Sequence, residues 1–237
     1  MSVFIQAAPQ NVAEFNTGSS NIQLSPFVQD DSALYSIEID IKYEESVVLN
    51  SSRGVFYSSL PYPSNYIEMG IVEILGGTDH ALNIYTSTTA NGNDNLWFNL
   101  GLGTSGHLST INLKIDFTKN ATNANNSDFT VFVNGSSVGT QTIYGGIEDF
   151  TSTLLGSPFS SSLNGEISNF KAYKNGALVR NLPLSGSATD TTGNSTPTAT
   201  DVTFSTIAGF APVTPLTHCR IGIDNILSSA NCTGSAV

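Results

Sequence analysis

The chain is predicted to be all-β, an antiparallel two-sheet sandwich of the jelly-roll kind. Apolar and polar residues alternate at period two over several runs, Asn-Gly and Gly-Gly pairs separate those runs, and no segment carries an amphipathic helical pattern. At 237 residues it is long enough to bury one substantial core, and sandwiches of this size form single domains. The expected organisation is an N-terminal arm over residues 1–10, a sandwich over 11–211 and a C-terminal extension over 212–237.

The strands can be taken in chain order. In Tyr35–Tyr43 the residues Tyr35, Ile37, Ile39, Ile41 and Tyr43 share one face, and Ser36, Glu38, Asp40 and Lys42 share the other, as a half-buried strand requires. Ile111–Phe117 repeats the pattern with Ile111, Leu113, Ile115 and Phe117 inward, and Phe129–Val133 and Ile167–Tyr173 continue it. Asn134-Gly135 and Asn175-Gly176 predict two-residue hairpins, because both residue types tolerate positive φ. Gly76-Gly77, Asn91-Gly92, Gly145-Gly146 and Asn164-Gly165 mark further turns. Asn120–Asp128 reads as a polar loop, residues 185–201 as a long surface loop, and Val202–Phe204 as a final edge strand. Pro212 and Pro215 open the extension that carries both cysteines.

Charge narrows the partners. The net charge is −11, from 19 acidic against 8 basic residues, and no Lys/Arg cluster offers the basic face that nucleic acid or an anionic membrane surface needs. Neutral glycans and protein subunits remain open. No apolar run is long enough to span a bilayer, so membrane insertion is not expected. The start, Met1 to Pro9, lacks a basic segment joined to an apolar one. It reads as an unprocessed N-terminus made in a cytoplasm, with release by particle assembly and lysis as the route outward. The Asn-x-Ser/Thr sequons at Asn50, Asn120, Asn125, Asn134, Asn194 and Asn231 then reflect composition. Cys219 and Cys232, with twelve residues between them, could staple the tail in an oxidising medium but have no companion at metal-site spacing.

Several stretches, in order, resemble the concanavalin A-like lectin/glucanase sandwiches, in particular the laminin G-like modules of bacteriophage virion proteins. Ala13–Leu24 resembles their first strand, turn and aliphatic return; Ser36–Lys42 the next core strand; and Asp128–Val138, with Val133-Asn134-Gly135 at its turn, their hairpin. Leu163–Leu184 is similar to the late G-x-I-x-N-[aromatic]-K-x-Y strand, and its continuation through Leu178-Val179-Arg180-Asn181 and Pro183 looks most like phage versions. The resemblance covers roughly residues 11–210. It implies a virion-associated structural or capsid-decoration protein at the virion surface. Such a protein would act by adhesion to neighbouring subunits and to host or environmental glycans, as a homo-oligomer. A stand-alone carbohydrate-binding lectin module is the alternative.

Each candidate site has a plainer reading beside it. Some glucanases of this fold carry E-x-D-x-E or E-x-D-x-x-E, with nucleophile and acid/base carboxylates about 5–5.5 Å apart. Glu38 and Asp40 share a face, but the third position falls on Lys42 or Tyr43, so a solvated strand face is expected and no catalytic residue is assigned. Gly101–Gly106 matches G-x-G-x-x-G. The adjoining stretch, His107 to Phe117, reads as a strand rather than a phosphate-binding helix, which predicts a hairpin loop. His80, His107 and His218 are scattered, and no nucleophile elbow occurs. No cofactor is expected, apart from calcium held by rim-loop oxygens: Asp30, Asp31, Asp79 or Asn93-Asp94-Asn95, with Asp79 and Asp94 the leading ligands. Sugar binding needs an exposed aromatic with amide or carboxylate neighbours. Trp97 with Tyr85 and Asn95 in a hairpin is one candidate, its parity leaving core and surface both open. A loop carrying Tyr57, Tyr62 and Tyr66 around Pro61 and Pro63 is the other, equally fit for a subunit contact.

Overall fold

In the computed structural model the described residues are 10–43, 52–60, 65–73, 79–88, 92–103, 110–145, 147–156 and 163–207. They are entirely strand, turn and irregular backbone. The strands, in chain order, are β1 (Gln10–Phe15), β2 (Asn21–Leu24), β3 (Tyr35–Tyr43), β4 (Ser52–Ser59), β5 (Tyr66–Glu73), β6 (His80–Thr88), β7 (Gly92–Asn99), β8 (Ile111–Lys119), β9 (Asn126–Val133), β10 (Ser136–Tyr144), β11 (Ser152–Leu155), β12 (Gly165–Lys174), β13 (Ala177–Leu182), β14 (Thr198–Thr200) and β15 (Val202–Ile207). One sheet has eight strands in the order β10-β9-β8-β3-β12-β1-β15, with β13 also paired to β12. The other has seven, β14-β2-β11-β4-β5-β6-β7.

The two inner faces make one core. The alternation expected for β3 is complete: Tyr35, Ile37, Ile39, Ile41 and Tyr43 are buried and the residues between them are not. β8 and β9 obey the same rule, and strand register stacks their aromatic residues. Tyr35 opposes Phe117, which opposes Phe129, with ring centroids 5.5 and 5.6 Å apart. From the smaller sheet Phe56, Ile67, Met69, Ile71, Leu82, Ile84 and Phe98 join the same cluster. Burying each such side chain contributes on the order of 1.5–3 kcal/mol, which is why period two dictates which face turns inward.

Asn134-Gly135 and Asn175-Gly176 form the predicted hairpin turns, all four residues having positive φ. β12 departs from strict alternation. Its pairing to β3 slips between Ser168 and Lys171, and Asn169 lies there at φ 52°. This bulge switches parity, so Ile167, Phe170 and Ala172 all point inward, which an unbroken strand could not achieve.

Four expectations are corrected. Residues 126–128 belong to β9, whose Ser127 is buried, so the polar loop is shorter than predicted. The 185–201 stretch is not all surface: it contributes β14 to the smaller sheet and buries Asp190. The glycine stretch from Gly101 is not a hairpin loop, because β7 and β8 lie in different sheets; Gly101 and Gly103, both at φ 64°, turn the chain from one to the other. Likewise Ala13–Leu24 is not a return within one sheet, since β1 and β2 sit in opposite sheets. Local sequence marks a turn but not which sheet receives the next strand. Asn11–Thr206 form one compact unit. Of the arm expected over 1–10, residues 1–9 lie outside the described residues, as do the extension over 212–237, Cys219, Cys232, His107 and His218.

Candidate functional site

The outer face of the smaller sheet carries the most unusual chemistry. Antiparallel register lays Leu154, Tyr57, Glu68, Tyr85 and Asn95 in one row across β11, β4, β5, β6 and β7. One step along lies Tyr66, and one step the other way the row Gly70–Asn83–Trp97. Opposite-parity neighbours Phe56, Ile67, Met69, Ile84 and Phe98 are all in the core, so these rows face away from it.

Tyr57, Tyr66 and Tyr85 form a contiguous aromatic patch. Their rings meet at centroid distances of 5.5 Å (Tyr57–Tyr66) and 5.8 Å (Tyr66–Tyr85), tilted 38° and 32°. Tyr57 is only 2% exposed and Glu68 9%, although neither belongs to the core cluster. Burial pushes the Tyr66 phenol well above the usual tyrosine range, and the neighbouring Tyr85 phenol, Glu68 and Tyr57 push it further in the same direction. Trp97 contrasts with them at 50% exposed. Its indole N–H donates to Asn95 Oδ1 at 2.7 Å, and its carbonyl accepts from Gln141 Nε2 of β10 at 2.8 Å. The ring is held still with its donor occupied, so what it offers a ligand is its π face. Asn83, between Trp97 and the side-chain-free Gly70, has its amide turned to the Leu96 carbonyl at 3.1 Å.

Trp97, Tyr85 and Asn95 therefore come together on one face with Tyr66. Tyr57 and Tyr66 are strand residues rather than members of a loop, and Tyr62, Pro61 and Pro63 lie outside the described residues. Glu68 and Asn83 were not singled out from sequence. Each sits in an alternating strand where nothing local distinguishes a site residue from an ordinary polar one; only cross-strand register puts them beside tyrosine and tryptophan.

The expected calcium ligands do not converge. Asp79 directly precedes β6, while Asp94 opposes Thr86 near the far end of that strand, six residues beyond His80, or roughly 20 Å at strand rise. Asp79 Oδ1 accepts backbone N–H groups from His80, Leu102 and Gly103 at 2.8–3.3 Å. Burial raises its pKa, but those donors together with the Asn99 side chain outweigh it and hold the carboxyl below the ordinary aspartate value. Asp94 accepts from the backbone N–H groups of Asn95 and Tyr144. It and Asn93 and Asn95 lie in β7, not in a loop. Asp30 pairs with Lys174 and Asp31 with Lys119. Among the described residues no three His, Cys, Asp or Glu side chains gather as a metal site would need.

Glu38 and Asp40 sit on the outer face of the larger sheet. Glu38 stands between Lys114 and Lys171 in register. Asp40 is gripped from both sides, by Asn112 Nδ2 at 2.8 Å and Asn169 Nδ2 at 2.8 Å. These contacts fasten neighbouring strands.

No known protein-family profile matches the chain, and no curated protein matches it. Among solved structures, it is similar to the receptor-binding domain of botulinum neurotoxin type G (11% identity, 73% of this chain and 41% of that one, TM-score 0.48). It is also similar to the LG1-3 region of the laminin alpha2 chain (7% identity, 73% and 32%, TM-score 0.43). A third is the CBM40 module of a Ruminococcus gnavus sialidase bound to α2,3-sialyllactose (10% identity, 70% and 92%, TM-score 0.43). The chain spans about two fifths and one third of the first two. The two-sheet antiparallel sandwich itself is established by the strand order and register of this chain.

Proposed function

We propose that this protein is a non-enzymatic adhesion module that binds glycans on the outer face of its smaller sheet, around Trp97, Tyr85, Tyr66 and Asn83. The observation that carries the proposal is the exposed indole of Trp97, fixed through Asn95 and flanked by amide and phenol groups. A sugar presents apolar C–H surfaces to an aromatic face and hydroxyls to amides and carboxylates, and this face offers both. A rigid ring loses little entropy on binding, which suits a shallow site.

The late strand motif at Leu163–Leu184 and the acidic, lysine-poor composition support display on a virion surface as a homo-oligomeric decoration protein, where weak sites gain avidity. A stand-alone lectin is the second reading, supported by the same face. Glu38 and Asp40 take no catalytic part, in keeping with their interstrand hydrogen bonds. The test is a broad glycan panel, run with calcium and with EDTA. Specific binding abolished by Trp97→Ala supports the proposal, and EDTA sensitivity would add a calcium-assisted contact. A folded protein that binds no glycan, or whose binding survives Trp97→Ala, overturns it. Co-purification with particles separates the virion setting from a free lectin.

A further inference from the structure

We propose that this glycan face selects an N-acetylated amino sugar: a gluco-configured ring lies on the Trp97 indole, and its acetamido group is held between Asn95 and the amide oxygens of Gln141 and Asn83. The proposal rests on the glycan-binding reading of the same face and names its ligand class.

Three amides surround the indole, and each spends one half of its hydrogen-bonding capacity on the protein. Asn83 directly opposes Trp97 on β6 and donates Nδ2 to the Leu96 carbonyl at 3.1 Å. Gln141 comes from β10 of the other sheet and donates Nε2 to the Trp97 carbonyl at 2.8 Å. Carbonyls of successive strand residues point to opposite sides, so these two amides flank the tryptophan from either side of β7. Asn95, two residues back on the same strand, accepts the indole N–H on Oδ1 at 2.7 Å. The other halves are turned to solvent: among the described residues nothing bonds Asn95 Nδ2, Asn83 Oδ1 or Gln141 Oε1. Asn95 and Gln141 are exposed and Asn83 is half-buried. The face therefore offers one amide donor and two amide acceptors around a half-exposed aromatic ring.

An acetamido group is the complement of that arrangement. It is planar and trans, with its N–H and C=O pointing in opposite directions. Lying on the indole, it gives its carbonyl to Asn95 Nδ2, its N–H to Gln141 Oε1 or Asn83 Oδ1, and its methyl to the π face. A hydroxyl at the same carbon reaches one side only and brings no methyl. The amide it fails to meet is then covered by the ligand and left unpaired, which is costly. A free ammonium has no acceptor for Asn95 and no methyl for the ring. The gluco configuration follows from the open aromatic platform, because an all-equatorial ring presents C–H bonds on both faces and an axial hydroxyl blocks one of them. Tyr85 opposes Asn95, one strand and two residues from Trp97 or roughly 8 Å away, so the next ring of a chain rests there.

Three β-1,4 hexamers with one ring skeleton isolate the group: cellohexaose with hydroxyls, a chitin hexamer with acetamido groups and a chitosan hexamer with free amines. Titration calorimetry on the full chain uses enough salt to screen the net charge of −11, which would otherwise attract the amine form. It is expected to show the chitin hexamer binding about tenfold tighter than either of the others. Saturation-transfer NMR on the unmodified chain should find the acetamido methyl the most strongly saturated group of the bound sugar. Asn95→Asp keeps an acceptor for the indole N–H and removes the donor, so the ratio of chitin to cellohexaose affinity should fall from about ten to about two. An unchanged Trp97 emission spectrum reports that the variant folds with its ring in place. The hexamer series and the NMR decide the same point without any variant. The inference is overturned if the chitin hexamer binds no tighter than cellohexaose, if chitosan binds as tightly as chitin, if the acetamido methyl is not saturated, or if the tenfold advantage survives Asn95→Asp. In each of those cases loss of binding in Trp97→Ala would leave the glycan-binding reading standing, whereas failure of every oligomer and of the wider panel removes both.

Discussion

Asn175 and Leu34 exchange two hydrogen bonds: the Asn175 N–H donates to the Leu34 carbonyl at 2.7 Å, and the Leu34 N–H donates to Asn175 Oδ1 at 2.9 Å. The hairpin residue thereby extends the β3–β12 pairing with its own side chain. Asn134 does the same to Asn112, at 2.8 and 2.9 Å, beside β8. Asparagine at these turns supplies both the positive φ and an interstrand bond. Asn175→Ala should therefore cost about 2 kcal/mol in urea unfolding, from the left-handed backbone and the lost acceptor together. Asn175→Gly, which keeps the backbone and loses only the acceptor, should cost about 1 kcal/mol. Equal costs would mean that the backbone conformation contributes nothing.

Arg180 and Asp190 form a buried ion pair, with side chains 7% and 0% exposed and Nε and Oδ2 3.9 Å apart, too far for a hydrogen bond. Asp190 Oδ1 meanwhile accepts from the N–H groups of Asn181 and Thr192 and from Thr192 Oγ1. Asp190→Ala leaves the buried Arg180 charge without its counter-ion and the Asn181 and Thr192 N–H groups without their acceptor, so an unfolding loss of about 3–5 kcal/mol is expected. Asp190→Asn keeps an acceptor and should cost less.

Gly165 of β12 lies opposite Tyr43 of β3, with no room for a side chain. A Cβ there would sit 2.3 Å from the Lys42 carbonyl oxygen and 2.7 Å from the Tyr43 Cα, both backbone atoms that cannot swing aside. Gly165→Ala should part the two strands and lower stability by more than about 2 kcal/mol, measured by thermal unfolding. A neutral outcome would show that the strands can slide.

Asp79 should make stability fall in acid. Its folded-state pKa lies below the ordinary aspartate value, so the stabilisation is complete above that value and is lost as pH drops through the folded pKa. Comparing denaturation midpoints across that range, Asp79→Asn should show a shallower acid slope than the parent chain.

Trp97 is the sole tryptophan, so intrinsic fluorescence reports on one residue. Its half-exposed ring predicts solvent-like emission that iodide quenches, and Trp97→Ala should alter stability by less than about 0.5 kcal/mol. A blue-shifted, unquenched signal would place the ring in the interior instead.

The sequence by itself determined the regularly alternating strands β3, β8 and β9 and what they turn toward the core. Burial repeats every second residue, so β3, β8 and β9 could be read from Tyr35, Ile111 and Phe129 onward, and the Asn-Gly pairs named their hairpins because few other residues accept positive φ. Tertiary structure decided everything that depends on pairing between distant strands. Whether Trp97 faced in or out, that Glu68 stands between Tyr57 and Tyr85, that Asp79 and Asp94 lie at opposite ends of a hairpin, and that Asp190 is buried against Arg180 are all consequences of register and sheet order. A period-two pattern is identical for the two possible registers and for either sheet. Only the packing of both sheets around one core selects between them.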